Sequence, residues 1–229
     1  MRGVWQAAFV VHRRAYRETS YLVDFFTRDG GLVSAVAKGV KNSKGDRKSL
    51  LQPFAPVTIQ LAGRSELKNL AQIESAGAML FLQGKPLFCA MYVNELLSRV
   101  LPKALTCEDL YDHYQQTLVA LSSEDPLDIA LRNFEFALLD EMGQLPDLLH
   151  DASTGEPVVA QDWYQFVQEL GIVRAKKAVQ PRSVPGYALL SMAAREWDSP
   201  ARQAAKLIAR QALLPLLGDK PLKSRELFR

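Results

Sequence analysis

Residues 21–37 read YLVDFFTRDGGLVSAVA, and this stretch decides the fold. Two runs of period near two, Tyr21–Thr27 and Gly31–Ala37, flank Arg28-Asp29-Gly30-Gly31, where Asp-Gly can take the positive φ of a tight turn. The pattern is that of an antiparallel hairpin. Outward from it, the same period recurs in Val4–His12, Val57–Gly63 and Lys68–Ser75. Leu51-Gln52-Pro53-Phe54-Ala55-Pro56 cannot be helix interior, because its two prolines lie three apart. Five short strands within about eighty residues fit a small antiparallel barrel, of which the OB-fold is the commonest five-stranded case.

Beyond Gly84 the period becomes helical. Leu87, Phe88, Met91, Leu96, Leu97 and Val100 recur at three- and four-residue steps between Pro86 and Pro102. Thr106 and Asp109 read as a capping-box variant before Leu110–Leu121. Asp125, Pro126 and Asp128 mark another start, on a helix running through Phe134 and Leu138 to Gly143. Residues 146–160 form a connection, Gln161–Leu170 reads as a short helix, and Ser199-Pro200 opens a last helix ending at Gly218. The expected class is α+β: an OB-fold barrel in residues 1–80, then a mainly helical domain in 81–229 with a basic C-terminal tail.

The net charge of +3 is small, but its distribution is not. Residues 1–80 carry twelve Lys and Arg against six acids, 81–170 carry four against fifteen, and 171–229 carry twelve against four. Basic ends around an acidic middle suggest distinct partner surfaces. The two cysteines, Cys89 and Cys107, are too few for a zinc cluster or a disulfide framework and read as buried thiols in a reducing compartment. No segment approaches about 18 uninterrupted apolar residues, and the start lacks a small-residue cleavage site, so no membrane partner and a cytoplasmic location are expected.

The loop Lys38–Leu50, KGVKNSKGDRKSL, carries Lys38, Lys41, Lys44, Arg47 and Lys48 against one acid, Asp46. Its glycines, serines and asparagine disfavour helix, so it reads as a cationic loop between strands, suited to a phosphate backbone or merely to solvent. Arg13, Arg14 and Arg17 follow the first strand, and Arg64 and Lys68 flank the turn between the last two, which assigns ten cations to the connections of one barrel. Tyr16, Tyr21, Phe25, Phe26 and Phe54 are interleaved with them, with Phe26 and Phe54 assigned to the core. An OB-type barrel binds single strands by stacking bases on rings while cations track the phosphates.

No catalytic constellation declares itself, and no cofactor or small-molecule substrate is implied. Gly39–Ser49 lacks the Lys-Ser/Thr pair of a phosphate-binding loop, since Asp46 and Arg47 follow Gly45. His12, His113 and His150 have no metal-ligand spacing, and the acid pairs Glu108-Asp109 and Glu124-Asp125 suit helix starts. Three readings stand: a DNA-binding protein, an OB-fold RNA-binding or ribosome-associated protein, and an enzyme whose site is not legible.

Arg13-Arg14-Ala15-Tyr16-Arg17-Glu18-Thr19-Ser20, Phe26-Thr27-Arg28 and Ala37-Lys38-Gly39-Val40-Lys41 resemble the N-terminal signature of the RecO family of bacterial recombination mediators. The resemblance continues through Leu51-Gln52-Pro53-Phe54, Gly63-Arg64-Ser65-Glu66-Leu67, Tyr92-Val93-Asn94-Glu95-Leu96 and Leu131-Arg132-Asn133-Phe134-Glu135, and closes at Lys220-Pro221-Leu222-Lys223-Ser224-Arg225-Glu226-Leu227. It implies a non-enzymatic bacterial DNA-repair protein, nucleoid-associated during repair. Such a protein binds single- and double-stranded DNA, anneals complementary strands and binds the acidic C-terminal tail of single-stranded-DNA-binding protein (SSB). With RecR it helps load RecA. Many relatives hold a four-cysteine zinc cluster, but Leu148–Tyr164 has no cysteine, which places this chain in a zinc-less branch.

For the SSB tail, which the family implies ends in a phenylalanine carboxylate, Arg132 is the expected grip, with Lys206 and Arg210 receiving the upstream acids. The plainer role for Arg132 is a helix-surface salt bridge to Asp128 or Glu135, worth a few tenths of a kcal/mol.

Overall fold

In the computed structural model, which describes residues 4–41, 47–176 and 182–228, the hairpin forms where its period and turn place it. Strands β1 (Trp5–Tyr16), β2 (Ser20–Thr27), β3 (Gly31–Ala37), β4 (Pro56–Ala62) and β5 (Lys68–Ser75) close a barrel in the order β1-β2-β3-β5-β4. Only β3 and β5 pair parallel. This is the OB order. The alternation sends Val10, Val23, Phe25, Ala35, Ala37, Val57, Ile59 and Leu70 inward, with Leu51 plugging the same core. A short helix α1 (Arg47–Leu50) lies where the loop composition suggested none.

The other face of β1 and β2 is apolar too, so it must also be covered. Phe9 and Phe26, both essentially inaccessible, meet Tyr111 and Tyr114 at ring-centroid distances of 5.1–5.7 Å. These tyrosines lie on α3 (Glu108–Leu121), which packs with α2 (Lys85–Val100). Burial pushes the Tyr111 hydroxyl up to about 12. A bulge in β1 between Val10 and His12 frees the Val11 carbonyl, which accepts from Asn94 Nδ2 at 2.9 Å. Tyr114 Oη in turn donates to Asn94 Oδ1 at 2.7 Å, so the buried amide is held at both ends. Thr106 does not cap α3 but donates its hydroxyl to the Asp29 carbonyl at 3.1 Å, tying the hairpin turn to the segment before that helix.

The basic tail also docks. Residues Lys223–Phe228 form a 3-10 helix whose Lys223 and Ser224 amides donate to the Glu95 carboxylate at 2.9 and 2.8 Å. The Ser224 hydroxyl adds a third bond at 2.6 Å, and Phe228 meets Phe88 edge-on at 5.9 Å. Burial alone would raise the Glu95 carboxyl, but the Ser224 and Lys223 bonds and the Arg99 charge hold it below its usual value of 4.5. A depressed carboxyl contributes stability above its unfolded value and loses it as pH falls through the folded one. Amide hydrogen exchange in residues 223–228 is therefore expected to be slow at neutral pH and to quicken, relative to the intrinsic rate, below about pH 4.5. Glu95→Gln should show the quickened exchange already at neutral pH, and protection unchanged by that substitution would contradict this account.

The chain divides into two compact units, Met1–Glu124 with Leu222–Arg229, and Asp125–Pro221. The expected division near residue 80 marks where strand gives way to helix. The compact division falls later, because α2 and α3 cover the barrel. The second unit holds α4 (Leu127–Glu141), β6 (Trp163–Val167), β7 (Gly171–Arg174), β8 (Ser183–Pro185), α5 (Gly186–Ala193) and α6 (Ser199–Leu217). Its three strands run in the order β7-β6-β8. Gln161–Leu170, expected as a helix, is thus mostly strand β6 and its turn, which places positive φ at Glu169 and Gly171. Tyr164, Ile172 and Val184 join Ala188, Ala204, Ala205 and Ile208 in one core. Asp198 caps α6, accepting from the Ala201 amide at 2.7 Å.

Candidate nucleic-acid interface

One end of the barrel gathers cations from three parts of the sequence. Strand β1 runs four residues beyond its expected end, so Arg13 and Arg14 lie in the strand rather than after it and project to opposite faces. Arg13 lies 5.3 Å from the Tyr21 ring centre and donates to the Lys48 carbonyl at 3.2 Å. The Lys41 amide donates to the Thr19 carbonyl in the β1–β2 turn at 3.0 Å. Arg17, with positive φ in that turn, lies 5.2 Å from the Tyr16 ring. Arg47 reaches the Ala71 carbonyl at 3.4 Å. Arg13, Arg17, Lys38, Lys41, Arg47 and Lys48 therefore border one end. All but Arg13 are exposed, and no carboxylate is paired with any of them among the described residues. Arg64 and Lys68 sit at the β4–β5 turn, with Lys68 paired to Ala35 of β3. Lys44 lies outside the described residues. Phe25, Phe26 and Phe54 are buried and unavailable for stacking, while Tyr16 and Tyr21 remain half-buried.

Arg14 faces a cleft of about 410 Å³ on the outside of β1, β2 and β3, bounded also by Glu66, Leu67, Ser98, Leu101 and Lys103. Across its floor, His12, Asp24 and Ser34 pair laterally in one row. Ser34 Oγ donates to Asp24 Oδ1 at 2.6 Å, and His12 Nδ1 lies 3.8 Å from Asp24 Oδ2. The aspartate stands between serine and histidine, so the histidine cannot take the hydroxyl proton as it does in a nucleophilic triad. Neither Asp24 nor Ser34 was singled out from the sequence. The hairpin register would have found them, since a turn centred on Asp29 sets them opposite each other.

In the second unit, Arg132 is 7% exposed and its Nη2 donates to Glu135 Oε1 at 2.8 Å. Asp128 is paired with Arg202 instead, at 3.5 Å. The Arg132 bridge is thus a buried one, and its Nε has no partner among the described residues. Lys206 and Arg210 are exposed on α6, which packs against α4. A zinc ion does not fit the region around Leu148–Tyr164. Asp151 accepts from the Ser153 amide and hydroxyl and from the Arg174 amide, Asp162 pairs with Arg174, and Asp147 bonds His150. No group of three metal-ligating side chains occurs among the described residues. Nor is any helix among them long and apolar enough to cross a membrane.

A closed five-stranded barrel of this order, followed by a largely helical remainder, defines an OB-fold protein with an appended helical part. The family model described as "Recombination protein O N terminal" matches residues 1–79, and "Recombination protein O C terminal" matches 83–226. The DNA repair protein RecO of Alteromonas mediterranea is 49% identical over all 229 residues and 98% of its own length. That of Pseudomonas putida is 46% identical over 99% of this chain and 97% of its own. That of Haemophilus influenzae is 43% identical over 100% and 97%. The chain belongs to the RecO family of DNA repair proteins.

Proposed function

We propose that the chain is a non-enzymatic recombination mediator of the bacterial cytoplasm. It binds single- and double-stranded DNA, anneals complementary strands and, with RecR, helps load RecA onto SSB-coated DNA. The observation that carries this reading is the convergence of Arg13, Lys38, Lys41, Arg47 and Lys48 at one barrel end, where hydrogen bonds link the three segments that bear them. Five phosphate contacts give a salt slope of about −3.5 on single strands, at about −0.7 per contact. Reversing Lys38, Lys41 and Lys48 to Glu is expected to weaken binding and bring the slope to about −1.4 or flatter, with the barrel still folded. An unchanged slope in that variant would remove the phosphate-tracking role from this end. Annealing of SSB-coated complementary oligonucleotides, compared with SSB lacking its tail, tests the mediator activity itself. Annealing of RNA in preference to DNA would favour the RNA-binding reading.

The SSB tail is proposed to bind the second unit through Arg132 of α4 and the exposed Lys206 and Arg210 of α6, two helices that pack together. Because Arg132 is buried, the surface cations give the cleaner test. Changing Lys206 and Arg210 together to Glu is expected to weaken a tail peptide about tenfold or more, through like-charge opposition to the peptide's acids. Full affinity in the folded double variant would move the tail elsewhere.

A further inference from the structure

The cleft beside Arg14 has a chemistry that phosphate tracking does not use. Its floor on one side is Leu22, from the lateral row Arg14–Leu22–Val36, and its walls include Leu32, Leu67 and Leu101. Those surfaces suit the face of a flat ring. Beside them stand two carboxylates. Among the described residues Asp24 accepts from Ser34 on Oδ1, and its Oδ2 is 3.8 Å from the His12 ring, too long for a hydrogen bond. Glu66 is exposed, 4.0 Å from Lys103. Ser34, whose proton goes to Asp24, offers its lone pairs. The cleft floor is therefore rich in acceptors, while Arg14 and Lys103 add the cations.

We propose that this cleft takes one unstacked nucleobase of a bound single strand and prefers cytosine and adenine, whose exocyclic amino groups are N4 and N6, to thymine, which has a carbonyl at the corresponding position. This rests on the nucleic-acid reading above. Its volume falls in the range that holds one small organic ligand rather than a duplex. A phosphate is repelled from the floor by Asp24 and Glu66, whereas an amino group is attracted, as when Asp or Glu accepts from cytosine N4. At Asp24 and Ser34 thymine presents its O4 carbonyl to acceptors, where cytosine and adenine present an amino group. A lysine or arginine of a protein partner would also find the carboxylates, but Arg14 and Lys103 line the same space and oppose a second cation.

The test is fluorescence anisotropy with the full chain and four labelled strands of equal length: dC, dA, dT and an abasic backbone. Wild-type protein is expected to bind dC and dA about tenfold more tightly than dT. Asp24→Asn is expected to bring the dC-to-dT ratio near one, and Ser34→Ala, which leaves the strand pairing untouched, to reduce it in the same direction. Equal dC and dT affinities in the wild type would overturn the base cleft, as would a preference that survives both substitutions. An arginine-rich peptide that competes with dC and loses its affinity in Asp24→Asn would overturn it in favour of a cationic partner segment. The abasic strand separates this proposal from the one beneath it. If that strand binds with the steep salt slope but no base preference exists, only the cleft assignment fails. If it shows no salt slope, the phosphate reading fails, while a tenfold dC-to-dT ratio still supports the cleft.

Discussion

Gly31→Ala is expected to destabilise the first unit by about 3 kcal/mol or more, near the upper end of single-substitution effects. Two independent causes act at this position. Gly31 has φ of +63°, a region that costs an ordinary residue about 1 kcal/mol or more. An added Cβ would also lie 1.9 Å from the Leu105 carbonyl oxygen, which is backbone and cannot rotate away. The approach is close because the Ala104 amide donates to the Leu32 carbonyl at 3.0 Å, while Arg28 pairs with Asp112 at 3.0 Å. The hairpin turn and the segment before α3 are therefore fixed together on both sides of the glycine. Urea unfolding followed by far-UV circular dichroism checks it. A midpoint within experimental error of wild type would mean that the turn does not approach Leu105 as described.

Arg132→Ala should be similarly costly, about 3–5 kcal/mol, because it takes the guanidinium from a carboxylate that is only 1% exposed. A helix-surface pair at the same spacing would lose only a few tenths of a kcal/mol, so the magnitude alone separates the two situations. The paired change Arg132→Met with Glu135→Leu removes both charges at similar volume and should recover most of the loss. This pair of variants also frees the tail assignment from its dependence on folding. If the doubly apolar protein melts near wild type yet no longer binds a tail peptide, the guanidinium itself recognises the peptide. If it melts normally and binds normally, the pair is structural. If Arg132→Ala melts as wild type does, the burial of the pair is wrong.

What was legible in the sequence follows from how local its cause is. The β2–β3 hairpin was readable because period and turn agree within seventeen residues, and the inward set Val23, Phe25, Ala35 and Ala37 follows from it. The end of β1 was not, since Arg13-Arg14-Ala15-Tyr16 has no apolar alternation and its strand character comes from pairing with Ser20–Val23. Strand β6 misled for a sharper reason. Trp163, Phe166, Val167 and Leu170 fall at helical spacing, and only the turn at Glu169 and Gly171 and the wholly buried Tyr164 settle the matter. The cations were legible as residue types, whereas their grouping required the hydrogen bonds between distant segments. Spacing offered Arg132 two partners, Asp128 and Glu135, but nothing in α4 read in isolation says which is taken or that the pair is buried.

The return of the last residues to α2 has a consequence for the order of events on the ribosome. Residues 125–221 are an insertion between two parts of one folding unit. Everything in that insertion must be made before Ser224 and Phe228 exist to meet Glu95 and Phe88 of α2. The barrel and its two covering helices emerge first, with the Glu95 carboxylate and the neighbouring apolar surface of Phe88 still bare. The unit that starts folding first is therefore the last to be finished, and the nascent chain carries an open seam for as long as it takes to synthesise the intervening segment.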